Sequence, residues 1–401
     1  MAEEPVLVLN GARTVGKSTL LAHIANSANR TVLDLDDPAT RAAVRNDPGR
    51  FVSGRGPILI DEYQHVPELL DAIKAELNRD LSPGRFVLAG STRYSTLPQA
   101  GQALTGRVDI IDVNPLSQGE IGGTRESFIE DLLNGGQPPD RTVASTTTRD
   151  DYARRITSGG MPVALRRPAG ASRSRWFANY QQLVLERDVL EISRIRQREM
   201  LPQLFAQLTM RTGQVLNLTS AAQAIGLEKS TAENYLRLLE AVFLLYRLPA
   251  WGTTLGSRVA RHPKLHLVDS GLAAWKLGLT PAKIDSGMPA ALSEYGHLAE
   301  TFAVSEILKQ LSWWDGQASF GHFRTSEGEE VDLVVETDDG RIIAFEFKVG
   351  SRVHGEDLRG IRTLRERLGD RLATAVVFYT GEHMYRHEEG AFVVPLDGLW
   401  S

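Results

Sequence analysis

Residues 11–18 are GARTVGKS, with glycines at 11 and 16 and the pair Lys17-Ser18 closing the run. The preceding PVLVLN (5–10) is an apolar β-type stretch, and the following TLLAHIA (19–25) has helical character. Strand, glycine loop and helix in this order make a cradle for phosphate. Glycines let backbone N–H groups turn inward, and the helix N-terminus adds partial positive charge. Gly11, Ala12, Arg13, Thr14, Val15, Gly16, Lys17, Ser18 and Thr19 are therefore the candidate nucleotide-binding residues. Lys17 is placed to reach the β and γ phosphates, and the Ser18 hydroxyl to ligate Mg²⁺, so ATP and Mg²⁺ are the implied cofactors.

Working outward, TVLDLD (31–36) is a second strand candidate and PILI (57–60) a third, apolar throughout as strands buried on both faces of a parallel sheet are. The third runs into Asp61-Glu62, acids at a strand's carboxyl end. Asp61 takes the metal role, and Glu62 the role of general base for the attacking water. A fourth strand, RFVLA (85–89), opens into Gly90-Ser91-Thr92-Arg93, which puts Ser91 or Thr92 at the crevice where a hydroxyl meets the γ phosphate or the lytic water. Arg107, just before a strand at 108–113, is the candidate arginine for a nucleotide of its own chain or a neighbour's. The expected fold class is α/β, beginning with a P-loop parallel-sheet domain over 1–133.

The 401 residues are 42% apolar, enough for two or three cores. There is no cysteine, which excludes disulfides, thiolate metal sites and cysteine nucleophiles. No apolar run approaches the roughly 20 residues that span a bilayer, and the start MAEE is acidic, so a cytoplasmic protein without a membrane partner is expected. A net charge of −5 confines any nucleic-acid contact to a local patch.

Residues 134–151, rich in Gly, Pro, Ser, Thr and Asp, form the expected linker. A helical region over 151–280 follows, in which LTSAAQAIGL (218–227), a helix opened by Ser230 and Glu233, and a strand at 244–248 have a winged-helix-like order. Its second helix mixes Arg237 with Glu233 and Glu240, so it lacks the basic face that phosphate contact demands. Pro281, Gly287 and Pro289 mark a second boundary, and 290–401 forms the last domain. There, strands at 330–336 and 341–348 flank an Asp338-Asp339-Gly340 turn. Strand alternation puts Glu346 and Lys348 on one face, and the hairpin brings Asp332 to it. Glu300 lies on a preceding helix. Arginines 359, 362 and 365 on a following helix are candidates for phosphate contact.

These stretches together resemble the prokaryotic AAA-type ATPases in which the AAA domain is followed by a DUF4143-type region and a restriction-endonuclease-like carboxyl end. The resemblance runs through GARTVGKSTL, LIDEYQHVPEL, LAGSTR, LTGRV with NPLSQGE, GGMPVAL, LHLVDSGL and VDLVVE with FEFK. It implies an intact ATP site and subunits that share sites in a homo-oligomer. For Asp332, Glu346 and Lys348, the similarity to nuclease cores of the PD-(D/E)xK type implies two carboxylates holding Mg²⁺ beside a lysine. Two functional classes follow: ATP hydrolysis coupled to a nuclease-like domain that cuts or binds DNA or other nucleic acid, or an ATP-controlled switch or docking module with an inactive nuclease fold.

Overall fold

The computed structural model describes residues 3–93, 104–139, 143–193, 195, 197–252 and 262–401. The chain forms two compact units. The first contains residues through Pro115 with Ala178–Arg198 and Asn234–Leu244, and the second contains Leu116–Phe177, Glu199–Glu233 and Leu245–Ser401.

In the first unit, β1 (Val6–Asn10), β2 (Val32–Asp34), β3 (Ile58–Asp61), β4 (Phe86–Gly90) and β5 (Val108–Asp112) form one sheet in the order β2-β3-β4-β1-β5. Every pairing is parallel. The apolar run of β1 alternates between two cores: Val6 and Val8 pack with Ile60, Phe86 and Leu88, whereas Leu7 and Leu9 pack with Leu21, Leu59 and Val87. Burial on both faces explains why neither β1 nor β3 shows polar alternation. The helix α1 (Lys17–Ser27) starts directly after the glycine loop. The carboxyl ends of β1, β3 and β4 thus deliver Gly11, Asp61 and Ser91 to one edge of the sheet.

The second unit carries a six-stranded mixed sheet, with β9 (Ala318–Arg324), β10 (Glu330–Thr337), β11 (Ile342–Lys348), β12 (Leu372–Tyr379), β13 (Tyr385–Arg386) and β14 (Phe392–Pro395) in the order β13-β14-β12-β11-β10-β9. Strands β10 and β11 pair as the expected antiparallel hairpin, while β11–β12 and β12–β14 are parallel. The helix Arg359–Leu368 makes the β11-to-β12 crossover and buries Ile361, Leu364 and Leu368. A smaller antiparallel sheet has the order β6-β8-β7, from β6 (Gln214–Val215), β7 (Leu245–Leu248) and β8 (Lys264–Leu267). With the helix Leu218–Gln223 it supplies the winged-helix-like elements, although the helix Lys229–Ala241 divides at residue 234 between the two units.

The stretch expected as a linker is anchored inside the second unit. Ser145 Oγ and Thr147 Oγ1 donate to Asp397 Oδ2 at 2.7 and 2.8 Å, and the Tyr152 hydroxyl donates to Asp397 Oδ1 at 3.2 Å. Pro281 and Pro289 each open a helix, Pro281–Asp285 and Pro289–Trp313, because a residue without an N–H is tolerated in the first turn. The latter runs unbroken for 25 residues and carries Glu300 at its middle.

Candidate functional sites in each unit

The loop from Gly11 to Gly16 is shaped by close approach. A Cβ at Gly11 would lie 2.3 Å from the Val113 carbonyl oxygen, and Gly16 has φ of 114°, so both positions require glycine. Thr14 also has positive φ, 68°. The Lys17 ammonium, 5% exposed, donates to the Gly11 and Ala12 carbonyl oxygens at 2.9 and 2.8 Å. Burial lowers its pKa to about 8 against the opposing pull of Glu62 and Asp61, so a phosphate arriving here meets a cation short of counter-charge.

Opposite the loop, Ser18 hydrogen-bonds the Asp61 carboxylate, and the Glu62 N–H donates to Asp61 Oδ1 at 3.0 Å. Burial raises the Asp61 pKa more than these bonds lower it. One hydroxyl, one carboxylate and the oxygens of a bound phosphate are the donor set that suits Mg²⁺, which keeps several waters and takes few protein ligands. Glu62 sits in the left-handed region at φ 52°. Its Oε2 accepts hydrogen bonds from Gln64 Nε2 and from Ser91 Oγ, the latter at 3.2 Å. The structure thus brings Lys17, Ser18, Asp61, Glu62 and Ser91 together at one sheet edge.

Arg13 and Arg107 stand apart from that cluster. Arg13 turns from the loop into a two-pronged ion pair with Asp188, Nε to Oδ2 and Nη2 to Oδ1, both at 2.9 Å. Asp188 is 2% exposed and closes a π-helical turn, Val184–Asp188. Burial works against the guanidinium, but Asp188 more than offsets it and holds the Arg13 pKa above the usual arginine value. Arg107 precedes β5, at the sheet edge away from the loop, and donates to Asn78 Oδ1 at 2.9 Å. The Arg107→Ala variant is therefore expected to keep wild-type ATP affinity in a direct titration. A fall in its turnover that vanishes on dilution would assign Arg107 to a neighbouring chain's site.

In the second unit, Asp332, Glu346 and Lys348 converge as the hairpin requires, but a residue outside the sequence expectation sits among them. Lys264 on β8, 1% exposed, donates to Glu300 Oε1 at 2.6 Å and Asp332 Oδ1 at 2.9 Å, and it also pairs with Glu330. Burial acts to lower its pKa, yet Asp332, Glu300 and Glu330 raise it well above the ordinary lysine value. Asp332 Oδ2 accepts the Phe347 N–H at 3.1 Å. Lys348 pairs with Glu346 Oε1 at 2.9 Å, and Glu346 Oε2 is buried without a hydrogen-bond partner. Burial first, and then Asp332, push the Glu346 pKa up. The group borders a cleft of about 1200 Å³ whose lining includes Lys229, Arg247, His297 and Lys348. The arginines expected to meet phosphate are engaged elsewhere: Arg362 Nη2 with Glu389 Oε1 at 2.6 Å, Arg365 with the Glu389 carbonyl, and Arg359 with the Glu356 carbonyl.

Residues 3–122 match the model of an AAA domain family, residues 149–283 a domain of unknown function, DUF8612, and residues 295–399 a domain of unknown function, DUF4143. The first of these matches supports an AAA-type domain at residues 3–122. The DUF4143 match falls on the very segment in which the nuclease-like core is expected, and the DUF8612 match covers the helical region before it. Among curated relatives, the uncharacterized proteins Mb2031c of Mycobacterium bovis and Rv2008c of Mycobacterium tuberculosis are each 28% identical over 400 residues, 98% of this chain and 81% of theirs. Among solved structures, the Thermotoga maritima RuvB Holliday junction branch migration motor aligns at 18% identity over 62% of this chain and 83% of that one, with a TM-score of 0.29. A point variant of the same protein aligns at 20% identity over the same shares, with a TM-score of 0.28. The fold assignment stands on the AAA model match and the parallel sheet with its glycine loop. Among the described residues, no helix is long and apolar enough to cross a membrane.

The sequence reading missed Asp188 and Lys264. Asp188 lies within a helical LERDVL run and Lys264 in an isolated HPKLHL strand, and neither has a local pattern that sets it apart from surface charge.

Proposed function

We propose that this chain binds and hydrolyses ATP with Mg²⁺, and that the state of the nucleotide site controls the helical segment bearing Asp188. The observation that carries the reading is the convergence of Lys17, Ser18, Asp61 and Glu62 at the carboxyl edge of one parallel sheet. In this reading the loop N–H groups and Lys17 bind the phosphates, and Ser18 and Asp61 hold the metal. Glu62, kept in place by Gln64 and Ser91, accepts a proton from the attacking water. Mg²⁺ supplies charge neutralisation across the phosphate oxygens. Arg13 is the connection outward, because it belongs to the glycine loop while its Nε and Nη2 hold Asp188, so a phosphate drawing on the same edge of the guanidinium competes with that pair. ATP binding then loosens the Asp188 pair, and hydrolysis restores it.

The direct test is Mg²⁺-dependent phosphate release by the purified chain. Absence of either ATP binding or turnover overturns the proposal. The switch has its own test in Asp188→Asn. Weakening Asp188's hold on Arg13 should lower the stability of the nucleotide-free protein by roughly 1–3 kcal/mol, since a partly buried charge-assisted pair loses its anion. The same change should tighten ATP binding severalfold. Effects of opposite sign mark a latch, whereas a purely structural ion pair would lose stability with ATP affinity unchanged.

A further inference from the structure

The carboxylates of the second unit are arranged around an ammonium. Four acidic side chains, Glu300, Glu330, Asp332 and Glu346, meet in a small volume, with Glu300, Asp332 and Glu346 each under a tenth exposed. A Mg²⁺ ion is surrounded by about six oxygens at about 2.0–2.1 Å, several of them waters, and the one or two carboxylates that hold it must have oxygens not already claimed by another cation. Lys264 takes up three of the four groups, through Glu300 Oε1, Asp332 Oδ1 and Glu330. The second oxygen of Asp332 is held by the Phe347 N–H and one oxygen of Glu346 by Lys348. Of the Asp332 and Glu346 oxygens, to which the nuclease resemblance gives a metal, only Glu346 Oε2 remains without a partner. Among the described residues, no three His, Asp or Glu side chains are placed to hold a metal ion. The residues present therefore do not fit the divalent metal that the nuclease resemblance implies.

We infer that Lys264 is a built-in counter-ion standing where a nuclease-like site would bind its metal, and that the carboxyl-terminal unit is metal-independent. The backbone makes this possible. Lys264 opens β8, in the small sheet β6-β8-β7, so a strand outside the six-stranded sheet delivers a cation to the acids of β10 and the helix Pro289–Trp313. Neutralising the acids from within lets them stay buried without a bound ion. It also ties the small sheet to the larger one through charge. The same ammonium would repel an incoming Mg²⁺ or Mn²⁺ at a distance of a few ångströms, well within a Debye length. The cleft beside the cluster is then no metal-dependent hydrolytic centre. This inference does not depend on ATP turnover, and its test is done without nucleotide.

The experiment is calorimetric titration of the full nucleotide-free chain with Mn²⁺, comparing wild type, Asp332→Asn, Lys264→Ala and the double variant. Wild type and Asp332→Asn should give the same isotherm, because any weak Mn²⁺ binding belongs elsewhere in the chain. Lys264→Ala should gain one site, at least roughly tenfold tighter than anything in wild type, and the double variant should lose it. The same site should appear as Mn²⁺-dependent thermal stabilisation of Lys264→Ala alone. A wild-type Mn²⁺ site that Asp332→Asn removes overturns the inference, and so does a folded Lys264→Ala that gains no site. Should Lys264→Ala fail to fold, the comparison of wild type with Asp332→Asn decides.

Discussion

Lys17→Ala is expected to reduce ATP affinity by a factor of about a hundred or more while leaving the folded chain intact. The ammonium is almost fully buried and, without phosphate, rests on the Gly11 and Ala12 carbonyl oxygens. On binding, it exchanges two neutral acceptors for phosphate oxygens bearing full charge. Truncating one partner of a desolvated charge pair costs about 2–5 kcal/mol, and each 1.4 kcal/mol is about tenfold in affinity. The other binding groups, backbone N–H donors and the start of α1, survive the substitution, so residual weak binding is expected. The cost to the fold is smaller, since the variant removes a cation that burial already disfavours. Isothermal titration with ATP and Mg²⁺, together with a thermal melt without nucleotide, separates these effects. Wild-type affinity in a folded variant would remove Lys17 from the site.

The elements that were legible in the sequence are those whose signal is local. GARTVGKS announces its own geometry, because Gly11 and Gly16 are forced by contact and by φ, and the apolar runs of β1 and β3 announce burial on two faces. The β10–β11 hairpin was legible for the same reason: alternation fixes which residues share a face, and Asp338-Asp339-Gly340 fixes the register. What could not be read locally was who partners whom across long separations. Arg13 looks like one more loop residue until Asp188, 175 positions away, is seen to hold it. Asp332 looks like one acid on a hairpin face until Lys264, 68 positions earlier, is seen on its oxygen.

The later motifs make the same point from the other side. NPLSQGE, GGMPVAL and LHLVDSGL mark a family without disclosing chemistry, and the structure gives them work in one polar network. Leu116 N–H donates to the Gly160 carbonyl at 2.9 Å, and Gly160 N–H donates to Asp269 Oδ2 at 2.7 Å. Asp269 also caps the helix Ser270–Leu277 through Leu272 N–H, and Gln118 N–H reaches Glu306 Oε2 at 2.8 Å. A Cβ at Gly159 would come within 2.4 Å of Asp269 Oδ2, so this glycine is a packing requirement. Buried polar groups need partners, and a network that satisfies them restricts which residues can stand at each position without any being catalytic.

Glu62→Gln is expected to keep ATP affinity near wild type and to lower turnover by roughly 10²–10⁴, the range that removal of a positioned general base gives. The geometry favours a clean separation of the two effects. Glu62 is held by a left-handed backbone at φ 52° and by hydrogen bonds from Gln64 and Ser91 to one carboxylate oxygen, Oε2. A glutamine oxygen can accept both bonds, so the substituted side chain keeps its place and the Asp61–Ser18 pair beside it is undisturbed. What it loses is the ability to take a proton from water. The nucleotide should then remain bound unhydrolysed, with the Arg13–Asp188 pair held in its ATP-bound state. Single-turnover phosphate release and ATP titration on the same preparation measure the two quantities independently. Ser91→Ala provides the graded control: it removes one of the two donors on Oε2 and leaves the base, so a smaller loss of turnover is expected. Wild-type turnover in Glu62→Gln would move the proton acceptor to another group, and equal losses in both variants would mean that positioning, and not basicity, is what Glu62 contributes.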